Sequence, residues 1–330
     1  MSGTVRFTST DDPAVWDDLV ARHPGATGFH DWDWLTVQAD VFGWRFDPLV
    51  VLHDDDPVGV FPLLSTTGRT RRPAMPPFPY VGPLVPAAVL GETLRAFRRW
   101  QVRHGVLAAH VDLGPGITDV SASTLAAAGV EATPDRTYVV DLADTTPELL
   151  LAGMKRGARQ AVTTASRKGV VVRPSLPGEL TTHLPMVLEE SYSSRGVPSP
   201  YPADIGARLE RWAQGRDDVR SFSATVADEV AGVIVALTRH PVVTGWAGGT
   251  LRAFRTSNPS TALFHELLRS SLEQGHTAVD LVGHVDEGIS RFKTSLGATE
   301  RPFWNLVVSP LPPQVRSAAL AVRGRLRTPV

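Results

Sequence analysis

Apolar positions along the chain fall into short runs that alternate between a helical and a strand period. Residues 14–22, behind the cap-forming Thr10-Asp-Asp-Pro13, have helical spacing and predict a first helix. An aromatic-rich run follows, with Phe29, Trp32, Trp34, Phe42, Trp44 and Phe46, and reads as core. Residues 48–53 and 58–64 read as two strands, and the polar Asp54-Asp-Asp-Pro57 between them predicts a hairpin. The extended Tyr80-Val-Gly-Pro-Leu84 comes next, then a helix over 92–104 that stops at Gly105 and a strand over 106–113.

The second half repeats this order. Residues 224–237 read as strand, acidic turn and strand, and 243–249 as an extended segment. A helix over 259–274, with Leu263, Phe264, Leu267, Leu268 and Leu272 on one side, ends at Gly275. A strand over 277–283, a short helix over 288–298 closing on Gly297, and a strand over 303–309 complete the repeat. Asp112 and Asp280 lie 168 residues apart, as do Gly129 and Gly297, and Gly59 and Gly232 lie 173 apart. Offsets this regular, in the same order of elements, predict an internal duplication. The fold class is therefore α/β of the α+β kind, as two similar domains over 1–143 and 144–310. A continuous helix over 148–168 is expected at the start of the second, and a terminal helix in 311–330 is expected to pack back on the first.

Composition narrows the function classes. A chain of 330 residues, 42% hydrophobic and 20% charged, has room for two globular domains. A formal net charge of -1 excludes a globally basic nucleic-acid binder, so any phosphate site is local. There is no cysteine, which removes disulfides, thiolate metal sites and a Cys nucleophile. The first dozen residues have no signal-like apolar core, and no apolar run approaches the roughly 20 residues of a membrane span. A cytoplasmic monomer without stable membrane insertion is expected, with no metal and no bound cofactor.

Candidate chemistry gathers at the segment from Gly288 to Ala298. Lysine occurs only at 155, 168 and 293, against thirty arginines. Lys is a compact ammonium with a movable pKa, so its use where Arg is the default cation singles out Lys293, beside Phe292 and Arg291. Other pieces fall in a fixed order: Phe29 with Trp34; Asp141-Leu142, then Met154-Lys155 and Arg159; Tyr192 with Arg195-Gly196; Trp246 with Gly248-Gly249; Asn258-Pro259; and R-F-K-x-x-x-G after a D-L-x-G strand. The ordered set resembles the Fem family of aminoacyl-tRNA-dependent peptidyltransferases and its FemAB-like relatives, across most of the chain. The resemblance implies two tandem GNAT-type acyltransferase domains, each a mixed, largely antiparallel twisted sheet flanked by helices. It also implies Phe292 and Lys293 at the transfer site, and Arg291, Arg195, Tyr192, Trp246, Asn258, Lys155 and Arg159 as substrate-binding residues.

The chemistry agrees with such a site. Attack of an amine on an aminoacyl ester passes through an oxyanion, which a fixed cation in a water-poor cleft stabilises more than the ground-state carbonyl. Lys293, expected to face the groove between the domains, is suited to that role, with Phe292 as its apolar wall. His30, His284, Asp286, Glu287 and Asp112 are the acid-base candidates. Lys155, Arg156, Arg159, Arg167 and Lys168, expected on one helix between the domains, are candidates to grip phosphates of a tRNA acceptor end or of a nucleotide-linked acceptor. The implied partners are an aminoacyl-tRNA as co-substrate and a peptide-like amine acceptor, a cell-wall precursor or a specialised metabolite. Fem proteins that use nucleotide-linked acceptors carry a Lys shortly after the N-terminal Trp, whereas no cation follows Trp34 here until Arg45, so the resemblance argues against a UDP-linked acceptor. The alternatives are an acyl-CoA-dependent N-acyltransferase and a non-catalytic binding scaffold. Arg255-Thr-Ser-Asn-Pro-Ser260 lacks the glycines that seat a coenzyme A pyrophosphate, which weakens the first of these.

Overall fold

Both expected hairpins form, and by the same device. Asp54 and Asp55 have φ of 50° and 72°, and Ala227 and Asp228 have φ of 48° and 68°. Two successive residues at positive φ make the tight turn whose twist matches paired strands. A register shift follows in each hairpin, between Val51 and Leu52 and between Ala224 and Thr225, next to Gly59 and Gly232. A Cβ on either glycine would collide with a neighbouring backbone carbonyl, of Leu84 or of Gly249. The glycines 173 residues apart therefore mark where a third extended segment crosses each hairpin.

The structure, a computed structural model, describes residues 4–67, 71, 73–74, 76–283 and 286–316. The first half runs β1 (Val5–Ser9), α1 (Pro13–Ala21), α2 (Trp32–Phe42), β2 (Trp44–His53), β3 (Asp56–Thr66) and α3 (Ala87–His104). It ends with β4 (Ala109–Leu113), α4 (Ala122–Ala127) and β5 (Glu131–Asp141). The second half opens with α5 (Pro147–Gly153), α6 (Arg156–Arg167), β6 (Val170–Pro174), α7 (Glu179–Ser193) and α8 (Ile205–Ala213). It continues through β7 (Val219–Val226), β8 (Glu229–Leu237), β9 (Val242–Thr250) and α9 (Pro259–Glu273). It closes with β10 (Ala278–Asp280), α10 (Glu287–Ser295) and β11 (Thr299–Val308). Among the described residues no helix is long and apolar enough to cross a membrane.

Strands β1-β2-β3 form one sheet, and the other has the order β4-β11-β5-β10-β9-β8-β7-β6. Residues 80–85 stand between the two, with Leu84 bridged to Val60 and Gly82 against the Asp112 backbone. The halves exchange their last strands: β11 lies against β4, and β5 lies against β10. The cores record the exchange. Leu306 and Val308 of β11 are buried with Phe61, Phe97 and Leu125, while Tyr138 and Val140 of β5 are buried with Ile234, Leu263 and Leu296. A further core, with Trp16, Phe29 and Trp34 against Leu184, Val233 and Trp246, joins the halves. The aromatic run after Gly25 is thus core, as expected. Around it, Arg239 pairs with Asp17 at 2.6 Å, Arg216 with Asp33 at 2.5 Å and His240 with Asp31 at 2.8 Å.

Two expectations change. The helix over 148–168 is broken into α5 and α6, because Met154 and Lys155 are extended. Arg159 reaches back to the carbonyls of Ala152 and Met154, satisfying the ends that the break exposes. The Lys155 N–H then donates to the Ser295 carbonyl at 2.8 Å, docking the break on the end of α10. The terminal helix opens at Pro313, and Arg316 pairs with Glu131 of β5, while 317–330 lie outside the described residues.

Candidate functional site

Lys293 reaches its place because Asp286 caps α10, accepting the Ile289 N–H at 2.9 Å, and Gly297 at φ 94° ends it. The side chain is buried, at 5% exposure, and does not open to a groove as the sequence suggests. Its Nζ donates to the carbonyls of Val282 at 2.6 Å and Gly283 at 2.7 Å. Those carbonyls converge because Val282 and Gly283 have φ of 51° and 73°. A β-branched residue at positive φ is a strained position. The strain is held by three bonds: Thr137 Oγ1 donates to Asp280 Oδ1 at 2.6 Å, the Val282 N–H donates to the same oxygen at 2.7 Å, and the Gly283 N–H donates to Thr137 Oγ1 at 3.0 Å. The Tyr138 ring lies 5.9 Å from Nζ.

Burial sets the electrostatics. It lowers Lys293 to about 8, against the opposing pull of Asp280 and Asp286. Burial also raises Asp280, against the hydrogen bonds from Thr137 and Val282. Asp280 Oδ2 and the Tyr80 hydroxyl are both buried without a hydrogen-bond partner among the described residues, and burial, with Asp280 adding to it, raises the Tyr80 phenol. Among the other acid-base candidates, His30 is fully buried and lowered to about 3, so it is neutral. Asp112 in β4 is raised to about 7 by burial and by Asp135. Asp286 is the α10 cap and Glu287 pairs on the surface with Arg291, while His284 lies outside the described residues.

In front of this cluster the sheet opens. Parallel β9 and β10 pair only through Ala278–Asp280, after which β9 runs on to Thr250 without its neighbour. A crevice at the carboxyl ends of diverging parallel strands is a general ligand position. Here it is a groove of about 380 Å³ lined by Arg195, Arg252 and Arg255, with Glu190, Ser260 and Asp286. At the start of α9, residues 252–257 form a 3-10 helix, Asn258 at φ 58° gives its N–H to the Arg255 carbonyl, and Pro259 has none to offer.

The structure separates the residues that the sequence groups together. Arg195 lines the groove and stacks on Tyr192, with its guanidinium 4.3 Å from the ring centroid. Trp246 is buried with Trp34, at a centroid distance of 4.8 Å. Phe292 packs edge-on to Phe264 beside Lys293. Asn258 is the turn before α9, Arg291 is an exposed pair with Glu287 at 3.2 Å, and Lys155 and Arg159 form the α5–α6 break. Thr137, Tyr80 and Arg252 are residues of this candidate site with no mark in the sequence, while Asp280 is marked only by Asp112 168 residues before it and by its place in the D-L-x-G strand. Thr137 gives no signal because its strand belongs to the other half.

Residues 153–294 match the family model described as an acetyltransferase (GNAT) domain. No curated protein matches the chain. Among solved structures, FemX superposes with a TM-score of 0.70 at 14% identity, covering 96% of this chain and 99% of that one. L-PGS from Bacillus licheniformis gives 0.59 at 13% identity, covering 96% and 97%. A tandem GNAT protein from the clavulanic acid biosynthesis pathway gives 0.55 at 16%, covering 94% and 99%. The chain thus has a Fem-like tandem GNAT fold, the fold of GNAT acyltransferases.

Proposed function

We propose that the protein is a cytoplasmic aminoacyltransferase that moves an amino acid from aminoacyl-tRNA to the amine of a peptide-like acceptor. The observation that carries this reading is the turn at residues 252–259. A coenzyme A pyrophosphate is held by free N–H groups at a helix start. Here the Asn258 N–H is spent on the Arg255 carbonyl and Pro259, at the first helical position, has none, so this helix start lacks two of those donors. Negative charge entering the groove meets the side chains of Arg195, Arg252 and Arg255 instead. Arg252 and Arg255 are exposed and Arg195 is half-buried; arginines on an open rim suit a polyanion arriving from solvent, such as an RNA acceptor end. Lys155 and Arg156 are exposed at the start of α6.

In this reading the aminoacyl ester lies where β9 and β10 part. The acceptor nitrogen attacks the ester carbon, the carbonyl oxygen takes the charge, and the bond to the ribose oxygen breaks as that oxygen gains the amine's proton. Lys293 acts from beneath, its charge little screened because the side chain is buried. Phe292 completes the apolar wall. The test is transfer of labelled amino acid to candidate peptide amines from charged tRNA or from acyl-CoA. Transfer from charged tRNA that ribonuclease abolishes is the expected result. Transfer from CoA thioesters alone overturns it.

A further inference from the structure

We infer that Thr137 and Asp280 are positioning residues for Lys293, acting through the backbone turn at Val282 and Gly283. The inference rests on the proposed role of Lys293 but can be measured apart from it. A Val at φ 51° does not hold that conformation unaided, because its branched side chain crowds the backbone there. The three bonds through Thr137 Oγ1 and Asp280 Oδ1 engage both N–H groups of the turn and leave both carbonyls facing Nζ. Without them Val282 relaxes toward extended backbone, and the pair of carbonyls that seats the ammonium is lost.

Two features make Thr137 the informative member. It is fully buried, so its hydroxyl has no water to bond in place of these partners. It also comes from β5, the strand that the first half places beside β10, and Tyr138 next to it sets its ring near Nζ. The groups that face Lys293 are then Asp280 from β10, Asp286 ahead of α10, the Tyr138 ring from β5 and the two carbonyls. The first half thus contributes to a site whose lysine belongs to the second.

The scarcity of lysine supplies the test. With only Lys155, Lys168 and Lys293 in the chain, an amine-reactive label read by peptide mass spectrometry reports each one separately. Thr137→Val keeps the shape and removes the hydroxyl; Thr137→Ser keeps the hydroxyl. In Thr137→Val, labelling of Lys293 relative to exposed Lys155 is expected to rise about tenfold, the shift that loss of one buried hydrogen bond produces. Turnover is expected to fall by between about ten- and a hundredfold with KM unchanged, as for a misplaced catalytic group. Thr137→Ser should match the parent in both, and Thr93→Val, a buried threonine of α3 remote from the turn, controls for general loosening. Parent-like labelling in Thr137→Val, or equal damage in Thr137→Ser, overturns the inference. If Lys293→Met keeps full turnover, the role of Lys293 in transfer fails while the labelling ratio still decides the positioning.

Discussion

The two halves share a hairpin, a bulge glycine, a crevice and a helix closed by glycine, and they part at the residue four before that glycine. In the second half it is Lys293, at 5% exposure. In the first it is Leu125, wholly buried beside Val111 and Leu306. The crevices differ in the same sense. The second is rimmed by Arg195, Arg252 and Arg255, whereas its counterpart, about 510 Å³, sets Arg22, His23 and Asp119 beside Leu19, Val58, Val85 and Ile117. The fold supplies the opening twice, and a buried cation with a seat of carbonyls is built once. Burying an ammonium is costly unless it is hydrogen-bonded, and the buried Lys293, where the first half has only Leu125 in its core, is our ground for assigning the proposed chemistry to the second half.

The comparison can be broken at several levels. The largest effect is expected from cutting the chain at the proposed division: 1–143 or 144–310 alone should show no cooperative melting by circular dichroism, since each loses a paired strand and exposes sheet edges. Next, Lys293→Met should lower turnover by about 10²–10³-fold, the range for loss of one group that stabilises an oxyanion. Leu125→Met should leave turnover unchanged and cost less than about 1.5 kcal/mol by denaturant titration. Replacing Arg195 and Arg252 together by Ala should raise KM for charged tRNA about tenfold and flatten its salt dependence, as loss of phosphate contacts does.

The smallest effect is in pH. Turnover that needs the charged Lys293 falls to half near pH 8, a limb absent from Lys293→Met. Stability moves the other way. The folded group titrates at about 8 and the unfolded one at 10.5, so the unfolded chain holds the extra proton between them, and this group adds stability as pH rises through that window. Chemical melts of parent and Lys293→Met across that range measure the difference.

Local signals carried most of the fold. Gly105 and Gly275 ended their helices, and the acidic turns placed both hairpins, because a tight turn or a helix stop is set by the φ of one or two residues. The break at Met154 was missed because its cause is an arginine five residues on and a docking contact with Ser295. Exchange of β5 and β11 leaves no local mark, since either pairing satisfies the same alternation of apolar and polar residues. Lys293 stood out by its rarity, but its burial depends on Val282, Asp280 and Thr137, spread over 157 residues of sequence from Thr137 to Lys293. Its neighbourhood is a product of tertiary structure.

Reciprocal exchange of terminal strands gives the molecule an ancestry that can be read from its topology. Two identical copies that each completed the other's sheet would form a swapped homodimer with its axis between the two exchanged strands. Joining them end to end fixes the stoichiometry and frees each copy from identity with the other. A symmetric dimer must alter both of its sites with every substitution. The fused chain, with β5 and β11 side by side at its centre, can keep a lysine in one copy and a leucine in the other.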